Sequence, residues 1–174
     1  CPTNNARATN FFDFGGGRSN DNIRLERDGE TNHLLLYVFR GSGQKSMRAE
    51  NAITPNTWQH FSVTITPSGV ATIYKNGIQI RQGTSNDWRP RNVERSSNYV
   101  GYTSWTENRL FQGQMADLGV WNRAISADEV RSAYTSGLQG NESGLVQLYP
   151  LGNLQTGGGN SKGENVTGEV KPVI

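Results

Sequence analysis

The clearest alternation of apolar and polar positions runs from Phe61 to Thr66. Phe61, Val63 and Ile65 take one parity; Ser62, Thr64 and Thr66 take the other. A period of two places successive side chains on opposite faces of a strand, so residues 57–66 are predicted as a strand with one core face and one polar face. Trp58 and His60 fall on the polar parity, which calls for a bulge or for cover on the second face. Residues 70–75 and 78–81 read as two more strands separated by Asn76-Gly77. Both central residues of a tight hairpin turn need positive φ, which this pair tolerates. Residues 57–81 are therefore predicted as a three-stranded meander.

Upstream, Phe11, Phe12 and Phe14 open a strand that ends at three consecutive glycines, Gly15 to Gly17. Residues 22–26 alternate with Ile23 and Leu25 on one face, Asp28-Gly29 marks a turn, and HLLLYVFR at 33–40 reads as a strand buried on at least one face. Residues 44–49 return as an edge strand. Downstream, residues 82–97 form a long polar loop, 98–102 a strand, and 103–109 another loop. Residues 144–151 (GLVQLYPL) predict one more strand, Gly157 to Gly159 a flexible joint, and 166–174 a last strand interrupted by Pro172.

The sharpest local statement is residues 113–137. Ala116, Leu118 and Val120 share one parity, and Met115, Asp117, Gly119 and Trp121 the other, so a central strand buried on both faces is predicted, with Asp117 buried or half-buried. A single short helix follows at about 126–136. Ser126 is its N-cap, Glu129 completes a capping box, and Ile125 with Val130 is spaced for a hydrophobic staple. Val130, Ala133 and Tyr134 make the inward stripe, and Gly137 ends the helix.

Composition agrees with this reading. The chain has 174 residues, 21 of them glycine, and only 18% charged side chains, a turn-rich β composition that fits one domain. The net charge of +2 is too small to imply nucleic acid. No stretch approaches membrane-spanning length, so membrane insertion is not expected. Arg81, Arg89, Arg91 and Arg95 thicken locally, as a solvated loop face or as a patch for acidic glycan. The single cysteine, Cys1, excludes an internal disulfide; a fragment boundary is the preferred reading, beside an acylated terminus or a bond to another chain.

Four groups of residues carry a family resemblance: Phe12-Asp13-Phe14-Gly15 with Asn20 to Ile23; Thr57 to Phe61 with Tyr74 to Gly77; Tyr99-Val100-Gly101 with Ser104-Trp105; and Phe111 to Glu129 with the helix. In order and spacing they resemble the laminin-G-like branch of the concanavalin A-like lectin/glucanase superfamily, over about residues 11–151. The resemblance implies an all-β jelly-roll sandwich of two antiparallel sheets. It implies a non-catalytic module, secreted or at the cell surface, for adhesion or for binding glycan or a matrix protein; the alternatives are a structural repeat that assembles with copies of itself by strand complementation and, third, a glycan-active enzyme. The family's usual first strands are missing before Phe11, whereas residues 144–170 resemble its opening segment. Residues 1–151 are thus read as the sandwich, and 152–174 as a joint and strand completing this sandwich or a neighbour's.

The candidate chemistry is one of binding. No E-x-D-x-E-like carboxylate cluster of the glucanase kind is present, and His33 and His60 have no evident triad partners. Asp13-Phe14-Gly15 lacks the rest of a kinase signature, and Gly43 to Ser46 lacks the glycine a phosphate loop needs before lysine. Sugar recognition commonly stacks an aromatic ring under the apolar face of a pyranose and meets its hydroxyls with planar polar groups. Trp88 with Arg89, and Trp105 with Asn108 and Tyr102, are the candidate ligand contacts. Trp58 and Trp121 match structural positions of the family. The resemblance also implies a structural calcium, for which Asp117 and Asn160 are the candidate ligands; Asp117 bonded to amides or an arginine is the alternative. The group Asp13, Asn20, Asp21 and Asn22 is a second candidate, set against a plain polar turn. Asn141 and Asn165 head glycosylation sequons.

Overall fold

The computed structural model describes residues 9–103, 105, 110–151 and 155–156. Four strands open it: β1 (Asn10–Gly15), β2 (Ile23–Arg27), β3 (Leu34–Arg40) and β4 (Gly43–Ala49). The predicted meander follows as β5 (Phe61–Ile65), β6 (Val70–Lys75) and β7 (Ile78–Thr84) and forms a sheet of its own. Next, β8 (Ser97–Val100) returns to the first sheet, whose order is β4-β3-β2-β1-β8. All strand pairs are antiparallel.

Cross-strand register sorts the first sheet into two faces. Phe12, Leu25, Leu36 and Met47 lie in one row, and Ile23, Val38 and Lys45 in the next. This face meets the meander. Leu25, Leu34, Leu36, Val38 and Met47 join Ala71, Ile73 and Trp88 in one buried cluster, with Phe61, Val63 and Ile65 packed on it. Each buried aliphatic contributes roughly 1.5–3 kcal/mol. A register shift between Asn10 and Phe12 puts Phe11 and Phe12 both against that core, and Phe11 meets Phe61 and Phe111 at 5.6 and 5.3 Å between ring centres.

Two predictions about this part need correction. The strand begins at Phe61, not at Thr57, and Trp58 is 58% exposed instead of structural. Gln59 is the cause: its side chain accepts from the Thr54 amide at 2.8 Å and donates to the Thr54 carbonyl at 2.7 Å. That holds the approach as a loop. The hairpin itself is as predicted, with Asn76 at φ 50° and Gly77 at φ 76°. A Cβ at Gly77 would stand 3.2 Å from Arg131 Cα, so the hairpin tip rests against the helix.

The chain then makes β9 (Gly113–Gln114), β10 (Leu118–Trp121) and the helix α1 (Ala127–Ser136). Ser126 and Glu129 form the capping box, with Ser126 N donating to Glu129 Oε2 at 2.7 Å and Glu129 N to Ser126 Oγ at 3.2 Å. Ile125 and Val130 are buried with Tyr74, and Trp121 packs on them. The inward stripe is narrower than predicted, because Tyr134 is exposed and stands beside His60. The predicted long central strand over 115–121 is also corrected. Asp117 takes φ 48°, which breaks the extended run, and both Ala116 and Asp117 are exposed.

Residues 144–151 supply β11 (Leu145–Tyr149), which pairs with β10, and β12 (Gln155–Thr156) pairs with β9. The expected joint from Gly157 and the last strand at 166–174 lie outside the described residues.

Candidate functional site

The second face of the five-stranded sheet is where the polar residues collect. One row runs Tyr99, Asp13, Arg24, Tyr37 and Ser46; beside it runs Asn10, Glu26, Leu35 and Arg48. An outer face of a sandwich is ordinarily wet and exposed, yet here Asn10, Asp13, Arg24 and Glu26 are at most 4% exposed.

Part of the cover is the loop after β8. Gly101 N donates to Phe11 O at 3.0 Å, and Phe111 N to Gly101 O at 2.8 Å, which closes the loop base over β1. Inside it, the Thr103 hydroxyl donates to Asp13 Oδ2 at 2.6 Å. Asn22 Nδ2 donates to the other carboxylate oxygen at 2.7 Å. Thr103 Oγ1 in turn accepts from the Trp105 amide at 3.4 Å. A buried carboxylate thus anchors the residue that positions Trp105.

Trp105 lies over the polar rows. Arg24 Cζ is 4.7 Å from its ring centre and 4.6 Å from that of Tyr37; Phe39 is 5.6 Å from Trp105. The exposed Arg18 also lies over Trp105, at 5.3 Å. Arg24 Nε stands 3.3 Å from Glu26 Oε2. Burial, with Glu26 nearby, pushes the Tyr37 phenol above its ordinary range. Several buried polar atoms here have no hydrogen-bond partner among the described residues: Arg24 Nη1, Trp105 Nε1, and both Asn10 Nδ2 and Oδ1. Such atoms cost about 1–3 kcal/mol each when left unmet. Of these, Arg24 lies between the rings of Trp105 and Tyr37.

The sequence-predicted residues divide. Trp105 lies on this face over Arg24, and Tyr102 stands edge-on to Tyr99 at 5.2 Å, at the end of the Asp13 row. Asn108 lies outside the described residues. Trp88 is corrected. Ser85 caps a short 3-10 turn, Asn86–Trp88, accepting from Asp87 N at 3.2 Å, and this turns the indole into the core. There Trp88 is 2% exposed, with its Nε1 3.3 Å from where a Cβ of Gly83 would stand. Arg89 remains exposed outside, so the pair does not form a sugar platform. Arg24, Glu26, Asn10 and Tyr37 went unnoticed in the sequence. An alternation of apolar Ile23 and Leu25 with charged Arg24 and Glu26 reads as core against solvent, and nothing local says the charged side is covered.

The metal candidates fare differently. Asp117 is one exposed carboxylate on a turn, and Asn160 lies outside the described residues. Among the described residues no group of three or more His, Cys, Asp or Glu side chains gathers. Asp13 is taken up by Asn22 and Thr103, and Asp21 by Arg91 and the Gly41 amide, so that group is a hydrogen-bonded polar turn. Asn141 is exposed on the loop after the helix, and Asn165 lies outside the described residues. No described helix is long and apolar enough to cross a membrane.

Fold and site together describe an antiparallel β-sandwich with an aromatic and guanidinium-bearing outer face. The chain belongs to the concanavalin A-like lectin/glucanases superfamily, whose laminin-G-type profile matches residues 1–131. Among solved structures it is similar to the CBM40 of the Ruminococcus gnavus IT-sialidase, with TM-score 0.61, 13% identity, and 76% of this chain and 77% of that one covered. The same module bound to α2,3 sialyllactose gives TM-score 0.62, 12% identity and the same coverage. A Bacteroides ovatus ATCC 8483 protein provisionally described as carbohydrate-binding gives TM-score 0.61 and 18% identity, over 88% of this chain and 48% of that one. These likenesses establish the fold. Among the curated proteins no match was found.

Proposed function

We propose that this chain is a non-catalytic carbohydrate-binding module, secreted or displayed at the cell surface, that takes glycan on the outer face of the β4-β3-β2-β1-β8 sheet. The observation that carries this reading is the Arg24 guanidinium against the rings of Trp105 and Tyr37, with buried polar atoms of Arg24 and Trp105 that find no hydrogen-bond partner among the described residues. Sugars supply what such a cluster lacks. Their hydroxyls donate and accept at once, and their C–H faces stack on indole and phenol rings. A pyranose over Trp105 would displace the exposed Arg18, whose contact is worth only about 0.5–1 kcal/mol.

The carboxylates of the face support binding over hydrolysis. Retaining or inverting cleavage needs two acids flanking one bond. Here Asp13 is held by Asn22 and Thr103, and Glu26 by Arg24. A guanidinium at the centre also suits an acidic sugar, and sialyllactose, found on the similar CBM40, is the first probe.

The test is a glycan array followed by titration calorimetry. Trp105→Ala should lower affinity for the bound glycan at least tenfold while the fold persists by circular dichroism. Failure to bind any glycan overturns the reading. Calcium at Asp117 and Asn160 belongs to the same proposal and has its own check. Added calcium should raise the melting temperature of the metal-free chain, because a ligand of the native state stabilises it. Asp117→Asn should remove that rise.

A further inference from the structure

We infer a second binding site, for an oxyanion substituent of a sugar, on the opposite face of the five-stranded sheet from Trp105, near the β3–β4 turn. A cleft of about 360 Å³ opens there between the β3–β4 hairpin and the loop after β7, lined by Val38, Arg40, Gln44, Lys45, Asp87 and Arg91. That volume accommodates one sugar residue.

The placement of Lys45 is the informative feature. It shares a register row with Val38 and Ile23, so it stands on the inner face of the sandwich, where the row is otherwise apolar. It is half-buried, and among the described residues its ammonium has neither hydrogen bond nor ion pair. An inward charge on an edge strand discourages strand pairing. That accounts for a lysine in this row but not for two arginines converging on the same opening.

Arg40 and Arg91 differ in how firmly they are held. Arg91 is fixed, donating from Nε to Asp21 Oδ1 at 2.8 Å and from Nη2 to Asp21 Oδ2 at 2.5 Å. Behind it the buried Arg95 donates from Nε to Asp21 O at 2.9 Å and from Nη2 to Arg91 O at 3.1 Å. These bonds make a rigid wall. Arg40 is loosely engaged, 3.5 Å from Asn86 O and 3.8 Å from Asp87 Oδ1. With Asp21 shared by Arg91 and Arg95, and Asp87 facing Arg40, the opening keeps positive charge in excess, and Lys45 is the cation without a partner among the described residues. An anionic oxygen group, either a sulfate ester or a carboxylate, suits that excess, and Arg40 can turn from its long contacts to meet it. The arginines that thicken along residues 81–95 of the sequence thus divide into a structural brace, Arg95, and a partly available wall, Arg91.

The experiment is an amide NMR titration of the full chain with inorganic sulfate, then with glucosamine 6-sulfate, glucuronic acid and N-acetylglucosamine. Saturable shifts are expected at residues 40–45 and 86–91. The charged sugars should bind, and the stronger of the two identifies the substituent; the uncharged sugar should leave these amides unmoved. Lys45→Ala should weaken binding about five- to tenfold, and raising salt should weaken it further, while glycan affinity at the Trp105 face is unchanged. The inference is overturned if the shifts do not saturate, if N-acetylglucosamine binds here equally well, or if Lys45→Ala has no effect. Because the two sites are read from different amides, loss of one leaves the other measurable.

Discussion

The Thr103 hydroxyl donates to Asp13 Oδ2 at 2.6 Å across 90 residues of sequence, and this bond fixes the loop of Trp105 to the central strand β1. Asp13 is fully buried, so its carboxylate depends on Thr103 and Asn22 for all the polar contact it is seen to make. Thr103→Val keeps the shape and removes the donor. It should cost about 1–3 kcal/mol in urea unfolding, the expense of an under-satisfied buried group. Glycan affinity should fall as well, because the Trp105 amide loses its partner oxygen. Thr103→Ser, which restores the hydroxyl, should recover both.

Arg24 is held by planarity as much as by charge. Its guanidinium lies over two rings and beside Glu26. Arg24→Lys preserves the charge and loses the plane and the fork, so it should lower both stability and glycan affinity. Arg24→Met should be worse, because it also removes the charge that stands beside the buried Glu26. Paired denaturation and calorimetry on the two variants check the order.

The tryptophans should separate by depth. Trp88→Ala opens a hole in the main core and should cost about 3–5 kcal/mol, with the glycan affinity of the molecules that remain folded unchanged. Trp58→Ala should stay within about 0.5 kcal/mol, since its ring is mostly in solvent. Chemical denaturation of both variants is sufficient.

Two carboxylates give the fold an acid-sensitive margin. Arg91 and the Gly41 amide hold Asp21 below its ordinary 3.8. Arg123 and the Ser126 amide bring Glu129 from 4.5 to about 2. Between the unfolded and folded values the unfolded chain binds more protons, so acid favours unfolding. The contribution is complete above pH 4.5 and is lost as the pH falls toward 2. The stability gap between wild type and an Arg91→Ala, Arg123→Ala double variant should therefore close over that window, as followed by thermal melts.

Much of the fold was legible because it is written in local chemistry. Asn76-Gly77 demands its turn, Ser126 and Glu129 cap their helix, and alternation in 61–65 and 70–75 fixes the core face. What failed were readings that depend on the whole chain. Trp58 fits a strand by sequence, but Gln59 finds Thr54 and makes a loop. Trp88 sits in a polar stretch, but a capped turn carries it inward. Asp117 continues an apolar run until its backbone turns. The candidate site was half visible: Trp105 and Tyr102 stood out as loop aromatics, whereas Arg24 and Glu26 looked like the solvent face of a strand. Only the register of β1, β2 and β3, with the Thr103 tie, puts them under cover.

The most direct measurement is an indole N–H NMR titration, since the four tryptophans give separate reporters at different depths. Trp105 Nε1 is buried and has no hydrogen-bond partner among the described residues, so a sugar on the outer face should move its resonance saturably, with the midpoint found by calorimetry. The signals of Trp58, Trp88 and Trp121 should stay in place. Glycan binding that leaves Trp105 unmoved, or that shifts Trp58 instead, would contradict the account.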